Sequence, residues 1–232
     1  MRKCTLIILA AVLSITACQE IETNPSAEDN VLSAAIEQDD MTKTVMDDNN
    51  NILWSENDQI VAFMKSSYGH KYQVKPAFVG KSYADFSRVT SGNWNDLSAG
   101  NEWEHNIAYY PYSETIECLK SGDLYALDVV LPSEQTYVAE SFGNGAMAMV
   151  AVSEDNDITF HNVLGGMKLQ LKGSATITTI KIEGKNNEKL SGAAVVLAYT
   201  DGTNPSITMA SDASTSVTLN CLSGIQLNEQ AA

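Results

Sequence analysis

The feature that most constrains this fold is a series of short apolar segments, separated by turn-forming residues, that begins near residue 42. Some alternate apolar and polar residues, as residues 167–172 do with the sequence MKLQLK. This period of two is typical of a half-buried strand, because successive side chains point to opposite faces of a sheet. No segment after residue 40 keeps the 3.6-residue apolar period of a helix. Segments recurring every ~8–15 residues predict an all-β protein built as β-sandwiches. The predicted strands are 59–64, 107–112, 124–131, 146–152, 167–172, 177–182, 190–199, 206–210 and 216–222.

The first residues have the composition of a secretory signal. Arg2 and Lys3 form a basic start, and residues 6–13 form an apolar stretch well short of the ~20 residues that cross a bilayer. Residues 15–18 read Ile-Thr-Ala-Cys, which resembles a bacterial lipobox. That resemblance implies a lipoprotein signal peptide over residues 1–17 and lipidation of Cys18. The alternative is a plain secretory signal that contains an incidental cysteine.

Composition divides the rest of the chain into three parts. Residues 18–40 are acidic and predict a solvated tether. Residues 41–157 predict an N-terminal β-sandwich domain, with long loops over the polar stretch 80–104. Residues 158–232 predict a C-terminal β-sandwich domain of five or six strands, whose face is poorly covered. We therefore expect this second domain to be truncated.

Charge and cysteine content restrict the partners and the type of fold. A formal net charge of −15 argues against nucleic acid and against electrostatic binding to anionic lipid, since both need Lys and Arg. Attachment to a membrane would then depend on acyl chains on Cys18. Four cysteines, with Cys4 inside the signal, are too few for a disulfide-stapled scaffold. We expect Cys118 and Cys221 to be unpaired, with Cys221 in a buried strand.

The sequence lacks the catalytic motifs that can be recognised by spacing, while the paired carboxylates of a glycosidase stay an alternative because their separation depends on the fold. The only histidines are His70, His105 and His161, and none has a second His or Cys at metal-ligand spacing. The chain also lacks a Gly-x-Ser-x-Gly nucleophile elbow and a phosphate-binding glycine loop. We therefore predict a protein that is not an enzyme and that has no cofactor and no metal.

Two groups of residues allow an alternative interpretation. Asp47, Asn49, Asn51 and Asp58 resemble the spacing of a calcium loop, but Ile52 occupies the position of the glycine that such a loop needs. A solvated turn is the preferred interpretation. The aromatic residues of the first half could stack on sugar rings, but the preferred interpretation is that they fill the core. They are Trp94, Trp103, Tyr109, Tyr110 and Tyr112.

Six short strings occur in order along the chain: 42–44 (TKT), 54–60 (WSENDQI), 108–112 (AYYPY), 160–163 (FHNV), 167–171 (MKLQL) and 217–227 (VTLNCLSGIQL). Together with the lipobox, they resemble the fimbrillin-like (Mfa-like) surface lipoproteins of the Bacteroidales. The match spans roughly residues 41–228. Glu20 and Glu22, just after Cys18, resemble the surface-export signal of such lipoproteins.

The resemblance implies two transthyretin-like β-sandwich domains, the second incomplete here, in an outer-membrane lipoprotein exposed at the cell surface. It implies a fimbrial (pilus) subunit, anchor or adhesin that joins other fimbrial subunits by donor-strand exchange. Host proteins or glycans are further candidate partners, and a glycan-binding surface lipoprotein is the alternative. In relatives an arginine-specific protease removes the N-terminal strand. Here Lys43 stands where relatives often have Arg, and no arginine lies between residues 4 and 87.

Overall fold

The computed structural model of this protein describes residues 31–37, 52–89, 102–139 and 141–228. These ranges contain strands, turns and one 3-10 turn at Pro76–Phe78, and no α-helix. The all-β prediction is therefore confirmed. No helix in the described ranges has the length and apolar character needed to span a membrane. The strands are β1 Val31–Ile36, β2 Gln59–Phe63, β3 Gly69–Val74, β4 Tyr83–Arg88, β5 Asn106–Tyr110, β6 Glu117–Ser121, β7 Leu124–Leu131, β8 Glu134–Thr136, β9 Met149–Ser153, β10 Asp157–Asn162, β11 Thr176–Glu183, β12 Gly192–Tyr199, β13 Ser206–Met209 and β14 Ser216–Gln226.

Seven strands form one closed sheet, here called the barrel sheet. Their order is β1-β10-β9-β5-β2-β3-β4, and β4 pairs back onto β1. Neighbours run antiparallel except β1 and β10, which are parallel. Because closure pairs every strand on both sides, the barrel sheet has no free edge.

A core of large side chains fills the barrel sheet and is centred on Trp54, which is 1% exposed. The Trp54 ring meets Phe86 edge-on, with ring centroids 4.9 Å apart, and Phe160 at 5.6 Å. Edge-to-face contacts of this kind add to the stabilisation from burial. Phe86 lies on β4 and Phe160 on β10, so the aromatic core is built on the two strands that flank β1.

A second core lies between the outside of the barrel sheet and a four-stranded sheet of order β13-β12-β7-β6. Strand β5 is buried along its whole length because it serves both cores. Ala108 and Tyr110 belong to the barrel core, whereas Ile107 and Tyr109 belong to the second core. This explains why the β5 sequence is a continuous apolar run and not an alternating one. The inner face of the four-stranded sheet supplies Cys118, Tyr125, Leu127, Val129, Leu131, Ala194, Val196 and Ala198.

A third sheet has three strands in the order β11-β14-β8. Ile180 pairs with Leu219 and Ile182 with Val217, which places four apolar residues on one face. All four are only half-buried, in contrast to the barrel core, where most side chains are almost fully enclosed. Within the described residues this apolar face is therefore incompletely covered.

The structure corrects two predictions about the first half of the chain. The predicted tether 18–40 contains β1, whose apolar side chains favour burial over a solvated linker. The predicted loop region 80–104 contains β4, which pairs with both β1 and β3. The rest of both stretches is described only at residues 37, 80–82, 89 and 102–104.

The predicted division of the chain at residues 157/158 also differs from the sheet topology. Strand β10 begins at Asp157, but it pairs with β1 and β9 inside the barrel sheet. The four-stranded sheet joins β7 from the first part to β12 from the second through eight residue pairs. Both parts of the chain therefore contribute to one sheet and to the second core.

Residues 167–172 do not form the predicted strand. They lie outside any strand ladder among the described residues, and Met167 and Leu169 are 66% and 43% exposed. The predicted half-buried strand would have placed Leu169 on its buried face, and that expectation is wrong because Leu169 is exposed. An alternating pattern produces a strand only where a partner strand supplies hydrogen bonds and an apolar layer covers one face.

Candidate functional site

The candidate site is the slot in the barrel sheet that β1 occupies. This slot is the space between β4 and β10, which do not pair with each other in the sheet order. Strand β1 pairs antiparallel with β4 through five residues and parallel with β10 through four. Strands β4 and β10 are both far from β1 in sequence. The segment that fills the slot is therefore not joined to either neighbour by a hairpin.

Alternate side chains of β1 enter the barrel core. Leu32, Ala34 and Ile36 are 0%, 3% and 4% exposed, while the residues between them are only half-buried. Ala34, the smallest of the three inward residues, is opposite Ala84 on β4 and Ile158 on β10. The slot thus takes a strand with the pattern large-small-large at every second residue.

Polar contacts hold β1 at Ser33, within the strand, and at Glu37, just after its end. The amide of Ser33 donates to the carbonyl of Asn156 at 2.9 Å, and the amide of Glu37 donates to the carbonyl of Phe160 at 2.9 Å. The hydroxyl of Ser33 donates to Asp85 at 3.1 Å, and the Glu37 carboxylate contacts the His161 ring. The two side-chain contacts are partly exposed, so burial of the three apolar side chains contributes more to the hold on β1 than these contacts do.

Removal of β1 would leave the edges of β4 and β10 unpaired, with an apolar slot between them. Unpaired edges of this kind readily bind another strand, since their main-chain groups are already arranged for a ladder. The geometry of the slot therefore suits β-strand addition: hydrogen bonds to both neighbours would give affinity, and the three inward positions would give selectivity.

The sequence patterns did not predict the strand β1, which here forms the candidate site. The signal was the apolar alternation at residues 32, 34 and 36, but Ala35 on the outer face obscures it. Alanine is compatible with a tether, a helix or a strand. Only Leu32 and Ile36, four residues apart, therefore indicate the period of two in the sequence.

The described members of the aromatic group do not form an exposed platform for sugar stacking. Trp103, Tyr109 and Tyr110 are 8%, 3% and 2% exposed, and Tyr112 is half-buried. Trp94 lies outside the described residues. The preferred interpretation, that these aromatics fill the core, is confirmed for the three buried residues, since they belong to the two cores described above.

Tyr110 has a polar role in addition to packing. Its hydroxyl donates to the carboxylate of Asp58 at 3.0 Å, and the other Asp58 oxygen accepts the Ser55 amide at 2.7 Å. Asp58 is 3% exposed, and burial raises its pKa despite both hydrogen bonds. Both carboxylate oxygens are thus bonded within the protein. The other members of the calcium-like spacing, Asp47, Asn49 and Asn51, lie outside the described residues.

The three histidines lie in different places. His70 contacts Arg88, His105 is 3.9 Å from the carboxylate of Glu154, and His161 contacts Glu37. Among the described residues, no three His, Cys, Asp or Glu side chains converge to hold a metal ion.

The two cysteines of the folded part are buried and free. Cys221 lies in β14, as predicted. Burial raises the pKa of the Cys118 thiol to about 12, so this thiol stays protonated and unreactive at neutral pH. Cys18, the predicted lipidation site, lies outside the described residues.

Comparison with known proteins found no matching family model, no similar curated protein and no similar solved structure. Any functional assignment therefore depends on the slot geometry and on the sequence patterns.

Proposed function

We propose that this chain is a cell-surface lipoprotein that acts as a fimbrial subunit, anchor or adhesin and assembles with other subunits by β-strand addition. The observation that carries the proposal is the slot of β1. A strand remote in sequence from both neighbours closes the barrel sheet and buries three alternate side chains. A strand from another subunit with the same pattern would make the same main-chain hydrogen bonds.

The finer fold, two transthyretin-like β-sandwiches, is part of the same proposal. It is supported by the half-covered apolar face of the three-stranded sheet, where Ile180, Ile182 and Leu219 lack the burial typical of a core. A face of this kind needs a further layer, as in a sandwich. The proposed subunit has no chemistry of its own and needs no cofactor.

The lipid anchor gives the first prediction. Cys18→Ala should move the protein from the membrane fraction to the soluble fraction, because the acyl chains would be its only strong attachment. Cys221→Ala is the matched control, since that thiol is buried in β14 and should leave membrane attachment unchanged. Immunoblots of carbonate-washed membranes measure the result. Retention of Cys18→Ala in the washed membranes would contradict the lipid anchor.

Strand exchange gives the second prediction. A protease site placed within residues 38–51 would separate β1 from the rest of the chain after folding. A labelled peptide of residues 30–38 should then replace the cut strand, and the same peptide with Ala34→Asp should not, because its carboxylate would enter the apolar slot. Fluorescence anisotropy measures the exchange.

The same cut protein should also form rods in negative-stain images when mixed with a subunit that carries a free strand of this pattern. Equal binding of both peptides would contradict selection by the slot. Absence of any exchange, even at mildly destabilising urea concentrations, would contradict β-strand addition at this position.

A further inference from the structure

A second contact between copies is indicated by residues 167–172, whose alternation divides the segment into two sides. Met167, Leu169 and Leu171 form the apolar side, and Lys168 and Lys172 lie on the other side with Gln170 between them. The segment pairs with no strand in the described part of the chain, and only Leu171 is even half-buried. It is therefore an exposed segment with strand character and local positive charge, in a protein whose net charge is −15.

The complementary feature is the outer edge of the four-stranded sheet, which β6 forms. Glu117 on β6 is directly opposite Asp128 on β7, and both are exposed on the same face. Like charges in directly opposite positions destabilise a sheet. Neither carboxylate has an ion-pair partner among the residues that the structure describes. Beside them, Leu119 is 63% exposed and opposite Ala126.

The spacing of the two lysines matches this edge. In a strand that adds to β6, residues 168, 170 and 172 would lie on the outer face beside Glu117, Leu119 and Ser121. In the antiparallel register Lys172 is opposite Glu117, and in the parallel register Lys168 is opposite Glu117. Either register therefore places an ammonium beside the Glu117–Asp128 pair and the stem of Gln170 against exposed Leu119.

The other side of the added strand fits as well. Its apolar residues would lie on the inner face beside Cys118, which is 3% exposed and belongs to the second core. Lys120, the remaining inward residue, has its ammonium 3.9 Å from the carboxylate of Glu104. Apolar side chains would thus extend the second core, whose rim includes Ile116 at 9% exposure.

We propose that residues 167–172 of one copy add as a strand to the β6 edge of a second copy, with a lysine paired to Glu117. Because the two surfaces differ, the contact is head-to-tail and repeats along a chain of copies. It does not require β1 to leave its slot. It can therefore be tested with the barrel sheet intact and stands independently of the proposed strand exchange.

The experiment is a charge reversal measured by sedimentation velocity over a range of concentrations, with Cys18→Ala present in every chain so that lipid does not cause association. The starting chain should self-associate. Glu117→Lys alone, and Lys168→Glu with Lys172→Glu, should each weaken association roughly fivefold to tenfold, because attraction becomes repulsion. Combining all three changes should restore association to near the starting affinity.

Glu114→Lys is the matched control, since Glu114 is exposed just before β6 but outside the pairing register. It should leave association unchanged apart from the small effect of net charge. Thermal unfolding should be unaffected by the changes at Glu114, Lys168 and Lys172, because these side chains are exposed. Glu117→Lys should raise the unfolding temperature slightly, because it turns the Glu117–Asp128 repulsion into attraction. Failure of the starting chain to associate, or failure of the combined variant to recover, would overturn the proposal.

Discussion

Replacing Ala34 by Asp is expected to lower the free energy of unfolding by about 3–5 kcal/mol, as an unpaired buried charge typically does. The side chain of Ala34 faces the barrel core and is 3% exposed. Ala35→Asp introduces the same group one residue later, on the half-buried outer face. It should cost about 1 kcal/mol or less, because the carboxylate there can reach water. Urea denaturation of both variants at pH 7 measures the difference.

These two variants introduce the same side chain at neighbouring positions of β1. They therefore test which side chains of β1 point into the barrel core. Ala34→Asp should also make β1 the first element to exchange its amide hydrogens. The contacts of Leu32 and Ile36 that remain would be too few to keep β1 in the slot. Equal costs for the two substitutions would mean that β1 is not seated in the slot with this register, and the proposed strand addition would lose its structural basis.

Replacing Tyr110 by Phe should cost about 1–3 kcal/mol at pH 7, because it removes a hydrogen bond from the buried carboxyl group of Asp58. Burial already raises the pKa of Asp58, and the Tyr110 hydroxyl partly offsets that effect. Loss of the hydroxyl should therefore raise the pKa of Asp58 further. Urea denaturation of the variant and the parent between pH 3 and pH 7 measures the change.

The sign of the pH dependence follows from the direction of the Asp58 shift. A carboxyl whose pKa is raised on folding stabilises the fold below its ordinary pKa, and that stabilisation is lost as pH rises through the folded value. Because the variant has the higher folded pKa, its cost should be smallest near pH 3 and should grow toward pH 7. Tyr109→Phe on the opposite face of β5 is the control, and its cost should not vary with pH. A cost of Tyr110→Phe that is equal at both ends of the range would contradict the coupling.

Sequence patterns predict the fold best where one strand has a clear inner face. Strand β7 occupies the predicted residues 124–131, because Tyr125, Leu127 and Val129 alternate with more exposed neighbours. Strands β2 and β5 are also confirmed, although both are apolar on both faces. For these two strands, the prediction came from the length of the apolar run and from the turn residues at its ends, and not from alternation.

Tertiary pairing accounts for what the sequence does not predict. Residues 167–172 have a clearer alternation than β1 but pair with nothing in the described residues, whereas the alanine-rich β1 is a central strand. The local apolar pattern indicates whether a segment is suited to a sheet. Whether the segment joins a sheet depends on the presence of a partner strand. The candidate site also depends on residues that are far apart in sequence. Phe86 and Phe160 pair with β1 from distant parts of the chain, so no short motif contains the site.

The role of the aromatic residues also depends on the fold. In the sequence, the tyrosines of residues 108–112 suggest a surface motif. In the structure, Trp54 is the residue at the centre of the barrel core. Its edge-on contacts with Phe86, Phe160 and Tyr110 involve four separate segments of the chain. A tryptophan in a sequence is compatible with a core, a surface or a binding platform until these partners are known.

The central claim is that β1 leaves its slot so that a strand of another subunit can enter. It is tested most directly by locking β1 in place with Ser33→Cys and Asp85→Cys, at positions whose side-chain oxygens are 3.1 Å apart on paired residues. Rod formation, after the cut between β1 and the rest of the chain, is compared before and after reduction. If β1 must leave the slot, we expect no rods and no peptide exchange while the disulfide is intact, and a reducing agent should restore both. Rods that form equally well from the oxidised chain would contradict it.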